Sequence, residues 1–209
     1  MRIAIGPEKA KRRFKIHRAA NIRMAVHTIF CKIFNPFPGF PFIFRSPDGQ
    51  LAAKVLLSAD LRGVDSHGVA RLSGYVRLWE KGRINPNPKI RITHETPSTA
   101  VVDGDAGLGQ VVAPFAMKVA MEKAKNVGTG WVSVKNSNLY GIAGYHAMMA
   151  LEQDMIGISL TNASPLVAPT FSKERLLGTN PISVAIPAKE EPAFVLDMAT
   201  TTAANGKLE

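Results

Sequence analysis

The sequence contains little cysteine and no long apolar run. Its single thiol, Cys31, cannot form a disulfide within the chain, and it gives no cysteine-based metal site. We therefore expect no metal and a reducing compartment, with the cytoplasm as the default. No stretch approaches the roughly 18–20 consecutive apolar residues of a membrane-spanning helix. The apolar core and cleavage site of a secretory signal are also missing, so we expect neither a membrane protein nor a secreted one.

Acidic residues are scarce at the N-terminal end. Residues 1–46 hold 10 of the 26 lysines and arginines but one of the 16 acids. The remaining residues, 47–209, have 16 basic and 15 acidic side chains, so the net charge of +10 belongs mainly to the first segment. The body of the chain shows no basic stripe of the kind that binds nucleic acid. We expect neither nucleic acid nor a membrane as its partner.

The N-terminal segment also differs in composition. Residues 1–46 contain seven of the ten phenylalanines, and residues 35–41 read N-P-F-P-G-F-P, which excludes regular helix or strand. Residues 8–27 suit a basic helix, so an organelle-targeting segment, with an organellar location, and a membrane-surface helix stay open. Our main interpretation is a disordered, atypical extension over 1–45. Residues 46–209 form the predicted domain.

From Ser46 onward the pattern changes to one of helices and strands. Ser46-Pro47-Asp48 is typical of a helix start, and a second helix is expected from about His67 to Lys81, ended by Gly82. This mixture predicts an α/β or mixed α+β body. Further helices are predicted at 112–125 and 142–153, and strands at 89–93, 99–102, 131–134, 156–160, 182–186 and 194–196.

Three polar side chains in the second predicted helix share one face. His67, Arg71 and Tyr75 are spaced i, i+4 and i+8, which drifts only about 40° around a helix at each step. Such a row can hold a small oxygen-rich anion, because Arg binds a carboxylate through two parallel donors while His and Tyr hydrogen-bond a nearby hydroxyl or carbonyl. The spacing alone equally suits a solvated polar face opposite Leu72 and Val76.

The glycine-rich segment 103–110 reads D-G-D-A-G-L-G-Q between a predicted strand and a helix. Its glycines do not fit G-x-G-x-x-G, and we expect no βαβ unit with a ribose-binding acid after it. We interpret the segment as a chain reversal. A nicotinamide cofactor would therefore not bind here by Rossmann rules.

Several polar turns adjoin apolar strands. Each can offer amides and hydroxyls to a cofactor, or can simply be a turn or a helix cap. Taken singly, none identifies a site. They are N-S-N at 136–138, T-N-A-S-P at 161–165, G-T-N-P at 178–181, and D-M-A-T-T from Asp197, expected just after the last strand.

Four segments together resemble a known family. They are A-D-L-R-G-V-D-S-H-G-V-A-R-L at 59–72, N-S-N-L-Y-G-I-A-G-Y at 136–145, G-T-N-P at 178–181 and L-D-M-A-T-T at 196–201. Their order, spacing and wording resemble the malate/L-lactate dehydrogenase family, which includes ureidoglycolate, sulfolactate and cyclic-imino-acid oxidoreductases. The resemblance covers roughly 46–209, and D-S-H-G-V-x-R with L-D-M-A-T-T is specific to the family.

The resemblance implies a non-Rossmann fold, NAD or NADP as cofactor, a homodimer, and hydride transfer at the hydroxyl-bearing carbon of a 2-hydroxy acid. His67, Arg71 and Tyr75 fall where the family contacts substrate. The residues that fall where the family holds the dinucleotide are Ala163, Asp197, Met198 and Ala199, with Gly178, Thr179 and Asn180 close to that site by analogy.

The sequence departs from the family pattern in two respects. Removing a hydride from an alcohol needs a base for the hydroxyl proton, and the family histidine after N-S-N is replaced here by Leu139. His146 would lie about 10 Å along a shared helix from Leu139, so His67 is the better substitute as catalytic base. Family members also continue well beyond D-M-A-T-T, so we expect a truncated chain.

These observations favour an oxidoreductase that transfers a hydride between NAD(P) and a small 2-hydroxy acid such as malate or lactate. The alternative is a non-catalytic remnant that binds dinucleotide or a partner subunit without turnover. A nucleic-acid- or membrane-binding protein led by the basic segment is a third hypothesis.

Overall fold

The structure is a computed structural model and describes residues 47–202. The predicted extension at 1–45 and the predicted helix cap Ser46 lie outside these residues. The helices are α1 (Pro47–Leu61), α2 (Leu72–Glu80), α3 (Gly109–Val127) and α4 (Ala143–Met148), with 3₁₀ turns at Asp65–His67, Val69–Arg71 and Met149–Gln153. The strands are β1 (Arg91–Glu95), β2 (Thr99–Gly107), β3 (Trp131–Ser137), β4 (Gly157–Leu160), β5 (Ile182–Ile186) and β6 (Phe194–Met198).

The strands form two separate three-stranded sheets. In the first, of order β1-β2-β3, β1 and β2 are antiparallel while β2 and β3 are parallel. The second, of order β4-β5-β6, is antiparallel throughout. The predicted mixture of helices and strands is confirmed.

The main core lies where the helices meet. Leu56 of α1, Tyr75 of α2 and Val111 of α3 belong to one buried cluster, which also includes Ala52, Ala53, Ile84 and Leu108. Along α1, Val55 and Ala59 are fully buried. This cluster fixes the connection between α1 and α2, on which the first candidate site residues lie.

A βαβ unit is present, contrary to our expectation from sequence. Strands β2 and β3 are parallel and are joined through α3, with only Leu108 between the end of β2 and the start of α3. The chain reverses direction at residues 107–109, between β2 and α3, so the predicted reversal is confirmed, although most of segment 103–110 is strand and helix. Gly104 allows close packing within the unit, since a Cβ on Gly104 would lie 2.9 Å from the Asn136 carbonyl oxygen.

Other boundaries differ because predicted turn residues continue the strands. Strand β3 runs on to Ser137, so Asn136 and Ser137 belong to a strand and not to a helix cap. Strand β6 likewise extends to Met198, which places Asp197 inside a strand rather than after it. In both places backbone pairing to a neighbouring strand overrides a polar sequence, since Asp197 pairs with Ser183 of β5.

Candidate functional site

His67 and Arg71 lie on two consecutive 3₁₀ turns between α1 and α2, whereas Tyr75 lies in α2. The prediction that all three share one helix is therefore wrong. Helix α2 begins only at Leu72, because Gly68 breaks the helical path with φ of −90° and ψ of −146°. The electrostatic interactions of Arg71 with His67 and with Tyr75 nevertheless place the three side chains in one neighbourhood.

The turn that carries His67 and Arg71 is held by hydrogen bonds. The Val69 amide donates to the Asp60 carboxylate over 2.9 Å, which connects the turn to the end of α1. The Arg71 Nε donates to the Ser66 carbonyl oxygen over 2.8 Å, and the Ser66 hydroxyl lies 2.9 Å from His67 Nδ1. These contacts orient the side chains of both candidate residues.

Asp60 is a site-supporting residue that our sequence reasoning missed. Gly68 packs directly on its carboxylate, since a Cβ on Gly68 would lie 2.5 Å or less from both carboxylate oxygens. The one signal in the sequence was an acid at a helix end, eight residues before a glycine. That pattern is too common to indicate a specific contact.

Burial lowers the pKa of His67, and the neighbouring Arg71 guanidinium lowers it further, while Asp197 partly opposes this shift. The imidazole is therefore neutral at neutral pH, as a proton acceptor must be. Tyr75 is 3% exposed and belongs to the core cluster. Its burial raises the pKa of the phenol far above the ordinary value, so the group stays protonated. Tyr75 is thus no part of a solvated polar face.

Asp197 brings the second predicted region to the first. Its Oδ2 accepts a hydrogen bond from the Gly144 amide of α4 over 2.7 Å. Partial burial raises the pKa of the carboxyl, while the Gly144 bond, His67 and Arg62 lower it. Because Asp197 and His67 each shift the pKa of the other, the D-M-A segment and the turn that bears the candidate base lie within electrostatic reach of each other.

The remaining predicted cofactor residues lie close to the end of β6. The Ala163 amide donates to the Asn180 side-chain oxygen over 3.1 Å. The Thr179 carbonyl oxygen accepts two hydrogen bonds from Thr200, from its amide over 2.9 Å and from its hydroxyl over 3.0 Å. Two polar loops and the residues after Met198 therefore form one polar patch.

Leu139, at the position of the expected base, is 54% exposed. It lies before α4, so Leu139 and His146 do not share a helix, and the 10 Å estimate does not apply. His146 is 1% exposed and its Nε2 lies 2.9 Å from the Tyr140 carbonyl oxygen. Its ring stacks on that of Tyr140 with centroids 4.7 Å apart. Burial lowers the pKa of His146 to about 4, and the contact with the Tyr140 carbonyl only partly opposes this shift. These contacts make His146 a core residue.

The polar patch has the chemistry that a dinucleotide needs. The Asp197 carboxylate accepts one amide through Oδ2, and a carboxylate has further acceptor sites that ribose hydroxyls match. The Thr200 hydroxyl beside it donates to the Thr179 carbonyl oxygen and keeps its acceptor lone pairs.

Across residues 47–202 no helix is long and apolar enough to cross a membrane.

Comparison with known proteins agrees with this geometry. The family model for malate/L-lactate dehydrogenase matches residues 43–209. A malate dehydrogenase of Pyrococcus horikoshii is 57% identical over 162 residues, which are 78% of this chain and 45% of that protein. An L-sulfolactate dehydrogenase of Methanocaldococcus jannaschii is 50% identical over 161 residues, covering 77% of this chain and 46% of the relative.

The solved structure of malate dehydrogenase from Pyrococcus horikoshii OT3 superposes with a TM-score of 0.83 at 49% identity. The superposition covers 91% of this chain and 52% of that structure. The chain thus spans about half the length of the relatives that it matches. The resemblance deduced from the four segments is confirmed, and the chain belongs to the malate/L-lactate dehydrogenase family.

Proposed function

We propose that this chain contributes the substrate-binding residues and part of the dinucleotide site of an enzyme that transfers a hydride between NAD or NADP and a small 2-hydroxy acid such as malate or lactate. The observation that carries the proposal is the meeting of two distant segments. Asp197 of β6 and His67 of the turn before α2 lie near enough for each to shift the pKa of the other, which supports one site formed by both regions.

Arg71 is the proposed carboxylate ligand. Its Nε is engaged with the Ser66 carbonyl oxygen, which fixes the plane of the guanidinium. A planar, oriented guanidinium binds a carboxylate in one orientation, and it brings the adjacent carbon of the substrate to a defined place. Tyr75, kept protonated by its burial, can donate a hydrogen bond to an oxygen of the same substrate.

His67 is the proposed acid/base in the absence of a histidine at 139. Its lowered pKa leaves it neutral, and the Ser66 hydroxyl next to Nδ1 can fix the tautomer. If Nδ1 donates its proton to Ser66, Nε2 carries the lone pair that accepts the hydroxyl proton of the substrate. The bound nicotinamide supplies the hydride acceptor in this reaction.

The proposed dinucleotide ligands are Ala163, Thr179, Asn180, Asp197, Met198 and Ala199. Their support is the polar patch formed at the end of β6. One relative, from Escherichia coli O157:H7, is named ureidoglycolate dehydrogenase (NAD(+)) and is 35% identical over 156 residues. The homodimer and the cytoplasmic location implied earlier stay predictions, as does the division of the chain at residue 45.

A non-catalytic protein that binds dinucleotide or a partner subunit is the second candidate. The exposed Leu139 favours it, because an apolar side chain at this position cannot exchange a proton. The two candidates share the binding residues and differ in turnover.

The test combines calorimetric titration with NAD⁺ and NADP⁺ and an assay of reduced nicotinamide formed from malate and lactate. Binding with turnover supports the dehydrogenase. Binding without turnover supports the second candidate. An absence of both binding and turnover contradicts each of them.

A further inference from the structure

Tyr140, which follows the exposed Leu139, is held by contacts along its whole length. Its carbonyl oxygen lies 2.9 Å from His146 Nε2, and its ring stacks on the His146 ring with centroids 4.7 Å apart. Its phenol oxygen accepts a hydrogen bond from the Ser159 hydroxyl over 3.4 Å. Helix α4 and strand β4 therefore fix the backbone, the ring and the hydroxyl of this residue.

The contacts of Tyr140 bring it to the same two elements that hold Asp197. The strand registers pair Ser159 with Ser183 and Ser183 with Asp197, so these three residues form one row across the β4-β5-β6 sheet. Tyr140 bonds to the first member of this row. Asp197, the last member, accepts the amide of Gly144 in α4, the helix on which Tyr140 also packs. The phenol and the carboxylate therefore lie along one side of the candidate site.

The Tyr140 phenol is a hydrogen-bond donor at neutral pH. Burial raises the pKa of the phenol above its ordinary value, the Ser159 contact partly opposes this shift, and the nearby Asp197 raises the pKa again. Ser159 donates its own proton and therefore occupies a lone pair of the phenol oxygen. In the part of the chain that the structure describes, Ser159 is the partner of this oxygen, so the phenol proton is left for an acceptor that a ligand brings.

The carboxylate and the phenol together suit one kind of group. Asp197 accepts through Oδ2 from Gly144, and a carboxylate has further acceptor sites. An alcohol hydroxyl both donates and accepts, so it can donate to the carboxylate and accept from the phenol. A phosphate would be repelled by the negative charge of Asp197, and a carbonyl oxygen has no proton to give it.

We propose that Tyr140 is a further ligand-binding residue of the site, where its phenol donates a hydrogen bond to an alcohol hydroxyl that in turn donates to Asp197. The inference rests on the proposed function, because both proposed ligands carry such a group. The dinucleotide has hydroxyls on its riboses, and the 2-hydroxy acid has one on the carbon that reacts. Tyr140 thus adds a neutral donor to a site for which Arg71 provides the charged one.

The experiment is a fluorescence titration of the 209-residue chain with NADH, followed by titration of the NADH complex with L-lactate. These two ligands cannot react with each other, since both are in the reduced form. Tyr140→Phe removes the phenol oxygen and keeps the ring that stacks on His146. Tyr145→Phe is the matched control, because the Tyr145 ring lies edge-on to the same His146 ring with centroids 5.5 Å apart. Melting temperatures without ligand are measured for all three proteins.

We expect Tyr140→Phe to weaken binding of one of the two ligands by about three- to tenfold, as the loss of one hydrogen bond predicts. Weaker binding of NADH identifies a ribose hydroxyl as the partner, and weaker binding of L-lactate identifies the hydroxy acid. Tyr145→Phe should bind both ligands like the parent, and the three melting temperatures should agree.

Unchanged affinity of Tyr140→Phe for both ligands would overturn the proposal while the proposed function stands. An equal loss of affinity in Tyr145→Phe would also overturn it, as would a lower ligand-free melting temperature of Tyr140→Phe, because a structural role explains both results. If the parent protein binds neither ligand, the proposed function fails and this proposal fails with it.

Discussion

The roles of some single residues can be predicted from the neighbouring sequence, whereas the roles of others depend on packing. His67 and Arg71 belong to the first group, because S-H-G-V-A-R is part of a motif that resembles the family and the turn keeps both side chains close together. Tyr75 belongs to the second, since periodicity placed it on a polar stripe while packing buried it in the core. Asp60 and Gly144 act through contacts to distant residues that no local pattern indicates.

Arg71→Lys should weaken the binding of oxamate, an unreactive 2-oxo acid analogue, by about tenfold or more. A lysine keeps the charge but loses the paired donors to the carboxylate, and charge-assisted hydrogen bonds contribute about 1.5–3 kcal/mol. It also loses the bond to the Ser66 carbonyl oxygen. Calorimetry in the presence of dinucleotide measures the change. Arg77→Lys on the exposed side of α2 is the control, and equal affinities of the Arg71→Lys and parent proteins would refute the assignment.

His146 should make the protein less stable in mild acid. The folded state holds its pKa at about 4, below the ordinary value of 6.5, so the unfolded chain takes up a proton first as the pH falls. Stability is therefore lost as the pH falls from about 6.5 to about 4, by on the order of 3 kcal/mol. Above pH 7 this contribution is constant.

His146→Phe keeps a ring against Tyr140 and removes the titrating group. The free energy of unfolding, from urea denaturation, should then fall less in the variant than in the parent over that pH range. The shift at His67 has the same sign but is common to both proteins, so it cancels. Parallel pH dependences would show that His146 is not held neutral.

At the level of elements, the order of helices and strands was predictable while several of their ends were not. The strand at 182–186 was predicted with its observed bounds, because an apolar run lies between a proline and a polar turn. Strands β3 and β6 exceed their predicted ends since pairing with a neighbouring strand stabilises polar residues that favour turns by themselves. The parallel pairing of β2 with β3 is a long-range feature, and local periodicity does not contain it.

We predict that substitutions at the end of β6 and at the end of β2 have different effects on dinucleotide binding: only the first should weaken it. Asp197→Ala should abolish the rise in melting temperature that NAD(H) or NADP(H) produces, because it removes the carboxylate of the polar patch. Gly107→Ala should lower the melting temperature without changing the nucleotide-induced rise, since its Cβ would lie 2.8 Å from Pro88. Asp197→Asn keeps an acceptor for Gly144 and separates structural loss from lost binding. The reverse pattern would return the site to the glycine segment.

For the molecule as a whole, composition excluded classes of protein but did not identify the fold or the function. The balanced charge of residues 47–209 argued against a nucleic-acid binder, and the family wording identified the fold that the comparisons confirm. The side of the second sheet that faces α4 was not predictable from the sequence, because short strands rich in isoleucine, leucine and valine are typical of burial on both sides. Only the registers show which side α4 covers.

The central claim is that this chain holds a family active site in which position 139 has lost its base. The measurement is steady-state formation of reduced nicotinamide from a panel of 2-hydroxy acids, with Leu139 or with Leu139→His. It uses a fusion that continues after Glu209 with the part of the Pyrococcus horikoshii relative that follows the matched segment. We predict that the histidine raises kcat by about 10²-fold or more with little change in KM, because a general base acts mainly in the transition state. The rate should also gain a pH dependence near the histidine pKa of about 6.5. Failure of both forms to turn over, while both bind dinucleotide and oxamate, would contradict the claim.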